Sequence, residues 1–176
     1  MDFSEERLQK YKWPISVSKR INASPQQIWS TITTPGILKL CHPFCKENPV
    51  YRWPGAEARD AVHYYSGWIL YRDFVQWLPG VGYDLLIGRE GGEKSYVRWR
   101  ITEENEQTGT LIITIYPYIF QNLPVVIRWV PYRFQIIPQL RDYLVSVLKG
   151  FEWYITTGQP VKKNQFGTHR WFSSPD

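Results

Sequence analysis

The chain has 176 residues, 43% of them hydrophobic and 16% aromatic, enough for one ordinary domain with a real core and far from the polar, aromatic-poor profile of a disordered chain. Its net charge of +5 is spread thinly, in pairs such as Lys19-Arg20 and Lys162-Lys163, so the gathered basic stripe of a nucleic-acid-binding protein is not in evidence and no nucleic-acid partner is expected. Two cysteines, Cys41 and Cys45, imply no disulfide framework and suit a reducing compartment.

The first twelve residues open with Asp2, Glu5 and Glu6 and lack the basic-then-apolar order of a signal peptide, which predicts a cytoplasmic protein. Residues 13–21 follow as a strand, with Ile15, Val17, Lys19 and Ile21 on one face and Ser16, Ser18 and Arg20 on the other. Ser24-Pro25-Gln26-Gln27 then starts a helix, with Ser24 as N-cap, proline at the first helical position and Gln27 reaching back as a capping-box partner. Thr34-Pro35 interrupts it and a second short helix runs from Gly36 to about Cys41.

From Phe44 to Tyr116 the sequence is a series of strand-like runs separated by turn chemistry at Trp53-Pro54-Gly55, Ser66-Gly67, Pro79-Gly80, Gly91-Gly92 and Glu106-Gln107-Thr108-Gly109. The runs cover residues 45–52, 59–65, 68–77, 83–88, 95–102 and 110–116, which makes seven strands in all. Val97, Trp99 and Ile101 alternate with Tyr96, Arg98 and Arg100, the pattern of an antiparallel sheet with one covered face.

Residues 117–131 form a long connection whose apolar, proline-bounded character suggests a lid, with Val126 and Trp129 as its working side chains. Pro117, Pro124, Pro131 and Arg128 make the same region a poor membrane span, so no stable membrane insertion is expected. Ile137, Leu140, Leu144, Val147, Leu148, Phe151 and Ile155 then recur at spacings of three and four, predicting an amphipathic helix roughly 30 Å long that ends at Gly158 and Pro160. The tail from Gln159 to Asp176 has no period, but Val161, Phe166, Trp171 and Phe172 predict that it packs on the body of a single domain with a core over residues 13–157.

The order strand, two short helices, six strands, long helix resembles the START-like superfamily, also called Bet v 1-like or SRPBCC, which includes polyketide cyclases, lipid transfer domains and quinone-binding proteins. The residues that carry the likeness are Ile21-Asn22-Ala23-Ser24-Pro25-Gln26-Gln27-Ile28-Trp29 and the closing helix from Leu140 to Ile155. Asp60 to Gly88, with Trp77-Leu78-Pro79-Gly80-Val81-Gly82-Tyr83-Asp84-Leu85, is similar to an uncharacterised bacterial branch. The resemblance implies an α+β helix-grip fold, a curved antiparallel sheet around the C-terminal helix, with a cavity between them for a small apolar molecule.

Candidate lining residues are Trp29, Trp99, Ile101, Leu144, Leu148 and Phe151, each of which reads equally well as core filler. Weaker candidates for acid-base work, as in ring closure of a polyketide, are His63, Tyr64 and Asp73, for which the bland alternative is a cross-strand surface cluster. Alternation lets only one of Arg72 and Asp73 face inward, and the phase is open. Cys41-His42-Pro43-Phe44-Cys45 is an incomplete ligand set, so no metal and no cofactor are expected. Three readings remain: a carrier of a lipid, quinone or polyketide-like molecule, a cyclase or dehydratase on the same scaffold, and an interaction module whose cavity is filled by its own aromatics. Oligomeric state is left open.

Overall fold

A computed structural model describes residues 13–118 and 132–173. Its elements are β1 (Ile15–Ile21), α1 (Pro25–Ile32), α2 (Leu38–Cys41), β2 (Cys45–Glu47), β3 (Val50–Arg52), β4 (Arg59–Tyr64), β5 (Ile69–Leu78), β6 (Gly82–Gly88), β7 (Lys94–Asn105), β8 (Thr108–Tyr116), a π-helical turn (Tyr132–Ile136) and α3 (Ile137–Thr157). The strands form one antiparallel sheet in the order β1-β8-β7-β6-β5-β4-β2, with β3 also on β4. The helix-grip architecture expected from the sequence is therefore present.

Two differences from the sequence reading have plain causes. The run 45–52 divides into β2 and β3, which pair with β4 in shifted registers; between them Asn48 turns its side chain inward and Pro49 offers no N–H to a ladder. Eight strands result among the described residues. The last hairpin is longer than turn residues alone indicate: Asn105 pairs with Thr108 after a register shift that leaves Glu104 unpaired, so only Glu106 and Gln107 lie between the two strands.

Local chemistry accounts for the start of α1. Ser24 Oγ accepts the N–H of Gln27 at 3.2 Å, while Gln27 Oε1 accepts the N–H of Ser24 at 2.9 Å. Both orphan donors are thereby satisfied. α3 carries Pro138 in its first turn and ends on Gly158 in the left-handed conformation, φ 69°, where a side chain is strained and glycine is not.

α3 crosses the concave face of the sheet and touches β1, α1 and α2. Its Leu144, Val147, Leu148 and Phe151 are buried against Trp99, Leu111 and Ile113 of the sheet's inner face, all in one hydrophobic core. Gly150 permits the close approach to α2: a Cβ there would stand 1.9 Å from the carbonyl oxygen of Cys41. Lys19 on edge strand β1 pairs with Glu152 of α3 at 3.0 Å, an exposed contact of small energetic weight.

After Gly158 the chain turns back over the body. The N–H of Val161 donates to the carbonyl of Leu40, that of Asn164 to Pro43, and that of Ser66 to the carbonyl of Phe172. Phe172 is buried beside Tyr64 and Tyr143, with ring centroids 4.5 and 4.6 Å away.

Candidate functional site

Sheet and helix do not close on each other along the whole length of α3. At the end where α3 begins, a cavity of about 390 Å³ opens among the described residues. Its sheet-side wall is Leu70, Ile87 and Ile115 with the end of β4 at Tyr64, its helix-side wall is Ile136, Leu140 and Tyr143, and Trp171 and Phe172 of the tail close one flank. The walls are apolar with a few polar groups, the composition typical of small-molecule pockets. A smaller space of about 50 Å³ lies deeper, bordered by His42, Val62, Arg72, Trp99, Ile113 and Leu144. Tyr143, Ile87 and Ile115 border both.

Alternation along β4 and β5 decides which polar groups reach this interior. Asp60, Val62 and Tyr64 of β4 and Arg72 and Phe74 of β5 are buried on the concave side. Asp60 and Arg72 are directly paired across the strands. Their side chains make a two-point ion pair, with Arg72 Nε 2.7 Å from Asp60 Oδ1 and the second contact from Nη2 to Oδ2. Asn48 Nδ2 donates to the same carboxylate at 3.1 Å and to the carbonyl of Ala61 at 2.8 Å, and its Oδ1 accepts the N–H of Leu38. Both carboxylate oxygens of Asp60, Nε and Nη2 of Arg72 and the side-chain amide of Asn48 have partners, the condition under which a buried charge pair is tolerated.

Beside it, His42, Tyr143 and Tyr64 form a hydrogen-bonded chain. His42 Nε2 lies 2.9 Å from Tyr143 Oη, and Tyr143 Oη lies 2.9 Å from Tyr64 Oη. The N–H of Phe44 donates to His42 Nδ1 at 3.2 Å, so Nδ1 is the bare nitrogen and Nε2 carries the proton. Burial, and secondarily the Arg72 guanidinium, pull the His42 pKa down to about 3. Burial pushes both tyrosines upward from their ordinary value, so their hydroxyls are protonated donors across the working pH range.

The other histidine of this end is His169 of the tail. Its Nδ1 accepts the N–H of Trp171 at 3.3 Å and its Nε2–H donates to the carbonyl of Gln139 on α3 at 2.9 Å. Burial lowers its pKa as well. The ring thus fastens the tail to the first turn of α3 in its neutral form.

The residues named from the sequence are distributed as follows. Trp99 and Leu144 border the deeper space. Ile101, Leu148 and Phe151 are buried further along the same core, Phe151 edge-on to Trp99 at 5.3 Å, and Trp29 packs edge-on to Trp77 at 5.7 Å. Tyr64 walls the larger cavity. His63 and Asp73 are on the opposite face of the sheet, His63 3.6 Å from Glu47 and Asp73 between Arg59 and Lys94. The phase left open by alternation resolves with Arg72 inward and Asp73 outward. Val126 and Trp129 lie outside the described residues. Cys41 and Cys45 are buried free thiols, both with pKa pushed up by burial, the inert kind rather than the reactive kind.

His42, Asp60, Arg72, Tyr143 and the tail residues Trp171 and Phe172 are site residues that the sequence patterns did not single out for this place. Tyr143 offered a faint signal, since it stands three residues from Leu140 on the flank of the apolar stripe. Asp60 and Arg72 become partners only once the register of β4 on β5 is known.

No protein-family model and no curated protein matches the chain. Solved structures match its fold. DynU16, a protein of the dynemicin biosynthetic locus, superposes with a TM-score of 0.65 at 15% identity, covering 86% of this chain and 51% of its own, so the chain spans about half of DynU16. A START superfamily protein from Mycobacterium smegmatis gives 0.63 at 12% identity over 83% of this chain and 99% of its own. Aha1 from Colwellia psychrerythraea, solved as a dimer, gives 0.61 at 13% identity over 83% and 98%. The chain shares the helix-grip fold of these structures, a START superfamily protein among them, and among the described residues no helix is long and apolar enough to cross a membrane.

Proposed function

We propose that the protein binds a small, largely apolar molecule of lipid, quinone or polyketide-like character in the cavity at the start of α3. The observation that carries this reading is the cavity itself, about 390 Å³ between Leu70, Ile87 and Ile115 on one side and Ile136, Leu140 and Tyr143 on the other. Transfer of apolar ligand surface out of water supplies the affinity, at about 25 cal/mol per Å² before the costs of association, and the few polar groups at the wall supply orientation. The same space weighs against an interaction module whose interior is filled by its own aromatics. A cyclase-like role has less support, because His63 and Asp73 face away from the cavity and Tyr64 alone of that trio borders it.

Binding of the apolar fluorophore N-phenyl-1-naphthylamine tests the proposal. Saturable uptake by the purified protein is expected, and Ile87→Trp, which fills the space from the sheet side, is expected to weaken it at least about tenfold while leaving the far-ultraviolet circular dichroism unchanged. Equal uptake by the wild type and a folded Ile87→Trp variant would remove the cavity as the binding site.

A further inference from the structure

Resting on the cavity reading, a count of protons along the buried chain says what else the ligand carries. The three groups His42 Nε2–H, Tyr143 O–H and Tyr64 O–H bring three hydrogens to two contacts. The imidazole cannot take the acceptor role toward Tyr143, because its only bare nitrogen, Nδ1, already faces the N–H of Phe44. Whichever way the two hydroxyls rotate, one O–H is left over, on Tyr64 or on Tyr143. Neither hydroxyl makes another hydrogen bond among the described residues. Both border the cavity. A buried donor without an acceptor is costly, and an acceptor delivered by a ligand removes that cost.

We infer that the Tyr64–Tyr143 hydroxyl pair presents this uncommitted O–H to the ligand and selects molecules that place a carbonyl oxygen at that point in an otherwise apolar body. A ketone or quinone meets the requirement with its lone pairs, whereas a hydrocarbon of the same shape leaves the donor unpaired. Specificity of this kind comes from the penalty on the wrong ligand as much as from the bond to the right one. The pair is a positioning and recognition device. It performs no proton transfer, since both hydroxyls hold their protons.

The test uses a shape-matched pair, 2-acetylnaphthalene and 2-isopropylnaphthalene, titrated calorimetrically into the purified protein, with the acetyl carbon also labelled as ¹³C=O for NMR. The wild type is expected to bind the ketone about tenfold more tightly than the hydrocarbon, with the bound carbonyl resonance displaced downfield of its position in hydrocarbon solvent. Because either single substitution leaves one hydroxyl hydrogen in surplus, the deciding variant is Tyr64→Phe/Tyr143→Phe, in which the one donor left over is His42 Nε2–H, on a residue that borders the deeper space and not the larger cavity. It is expected to bind both compounds equally, to hold the hydrocarbon as tightly as the wild type does, and to lose the downfield displacement. Retained hydrocarbon binding doubles as the check that the variant is folded.

A wild type that binds both compounds alike, or an undisplaced carbonyl resonance, overturns the inference and leaves the cavity reading standing. So does a ketone preference that survives in the double variant. A wild type that binds neither compound overturns both. The carbonyl resonance in the wild type decides the matter even if the double variant does not fold.

Discussion

The two halves of α3 lie on one sheet and meet it differently. From Leu144 to Phe151 the helix sits on Trp99, and behind Trp99 the rings of Tyr83, Trp77, Trp53 and Phe74 follow one another at 5.0 to 5.6 Å, with the small space of about 50 Å³ at Trp99 and Leu144. At its start, Leu140 and Tyr143 of the same helix, with Ile136 of the π-helical turn before it, face Leu70, Ile87 and Ile115 across the larger cavity, and the tail through Trp171 and Phe172 closes one flank in place of the sheet. Apolar residues at helical spacing occur in both halves. What separates them is how near the backbone can come, and that is set at Gly150, where α3 rests on the carbonyl of Cys41. One end is a packed anchor and the other an open grip.

The largest expected effect breaks the anchor. Gly150→Ala puts a methyl group against backbone that cannot rotate away, so α3 must lift, and a loss on the order of 4 kcal/mol is expected in urea unfolding. Gly158→Ala is the control: its Cβ meets nothing within 4 Å, and only the left-handed backbone opposes it, for about 1 kcal/mol. Similar losses for the two variants would mean that the close crossing does not set the seat of the helix.

A narrower contrast between two variants compares the halves directly. Leu148 and Leu140 are both buried leucines of α3, but Leu148 lies in the core away from both described spaces whereas Leu140 already borders the larger one. Leu148→Ala is expected to cost about 4 kcal/mol and Leu140→Ala about 2 kcal/mol, the spread that residual cavity volume produces for one chemistry. Equal costs would indicate that the cavity wall is packed as firmly as the core.

This division explains which parts of the molecule the sequence discloses. Alternation in β1, β7 and β8, the capping box at Ser24 and Gln27, and the three-and-four spacing of α3 are local patterns, and local patterns give elements, faces and, with the resemblance, the fold. The polar interior is not local. Asp60 and Arg72 are opposite one another because β4 and β5 pair in one register and not its neighbour, and a slip of one residue would have turned Arg59 and Asp73 inward instead. His42 reads in the sequence as the middle of a thiol pair, and its partner Tyr143 is 101 positions away. The tail has no period at all, so the docking of Phe172 between Tyr64 and Tyr143 follows from shape rather than pattern. Leucines at equivalent steps of one helix cannot announce which of them faces a gap, because the gap depends on a glycine ten residues from Leu140.

The last contrast is chemical. Both described histidines of the open end, His42 and His169, are held neutral by burial, while Leu144, Val147, Leu148 and Phe151, the side chains buried at the anchor, carry no titratable group. An unfolded histidine takes up its proton near pH 6.5, but folded His42 does so only near pH 3, so between those values the unfolded chain binds the extra proton and stability falls as the pH falls. Above about pH 7.5 the contribution is complete and constant. By pH 5 His42 alone is expected to have withdrawn about 2 kcal/mol, with His169, also depressed by burial, adding in the same direction. ¹⁵N imidazole spectra at pH 5 are expected to show His42 still neutral with its proton on Nε2, alongside a lower urea midpoint than at pH 7.5. Hydrogen exchange should then place the loss of protection first in the tail and the first turns of α3, where Gln139 accepts from His169, and only later at Leu148 and Phe151. A His42 that titrates near pH 6.5, or an anchor that loosens before the grip, would contradict the view that acid enters this fold through its open end.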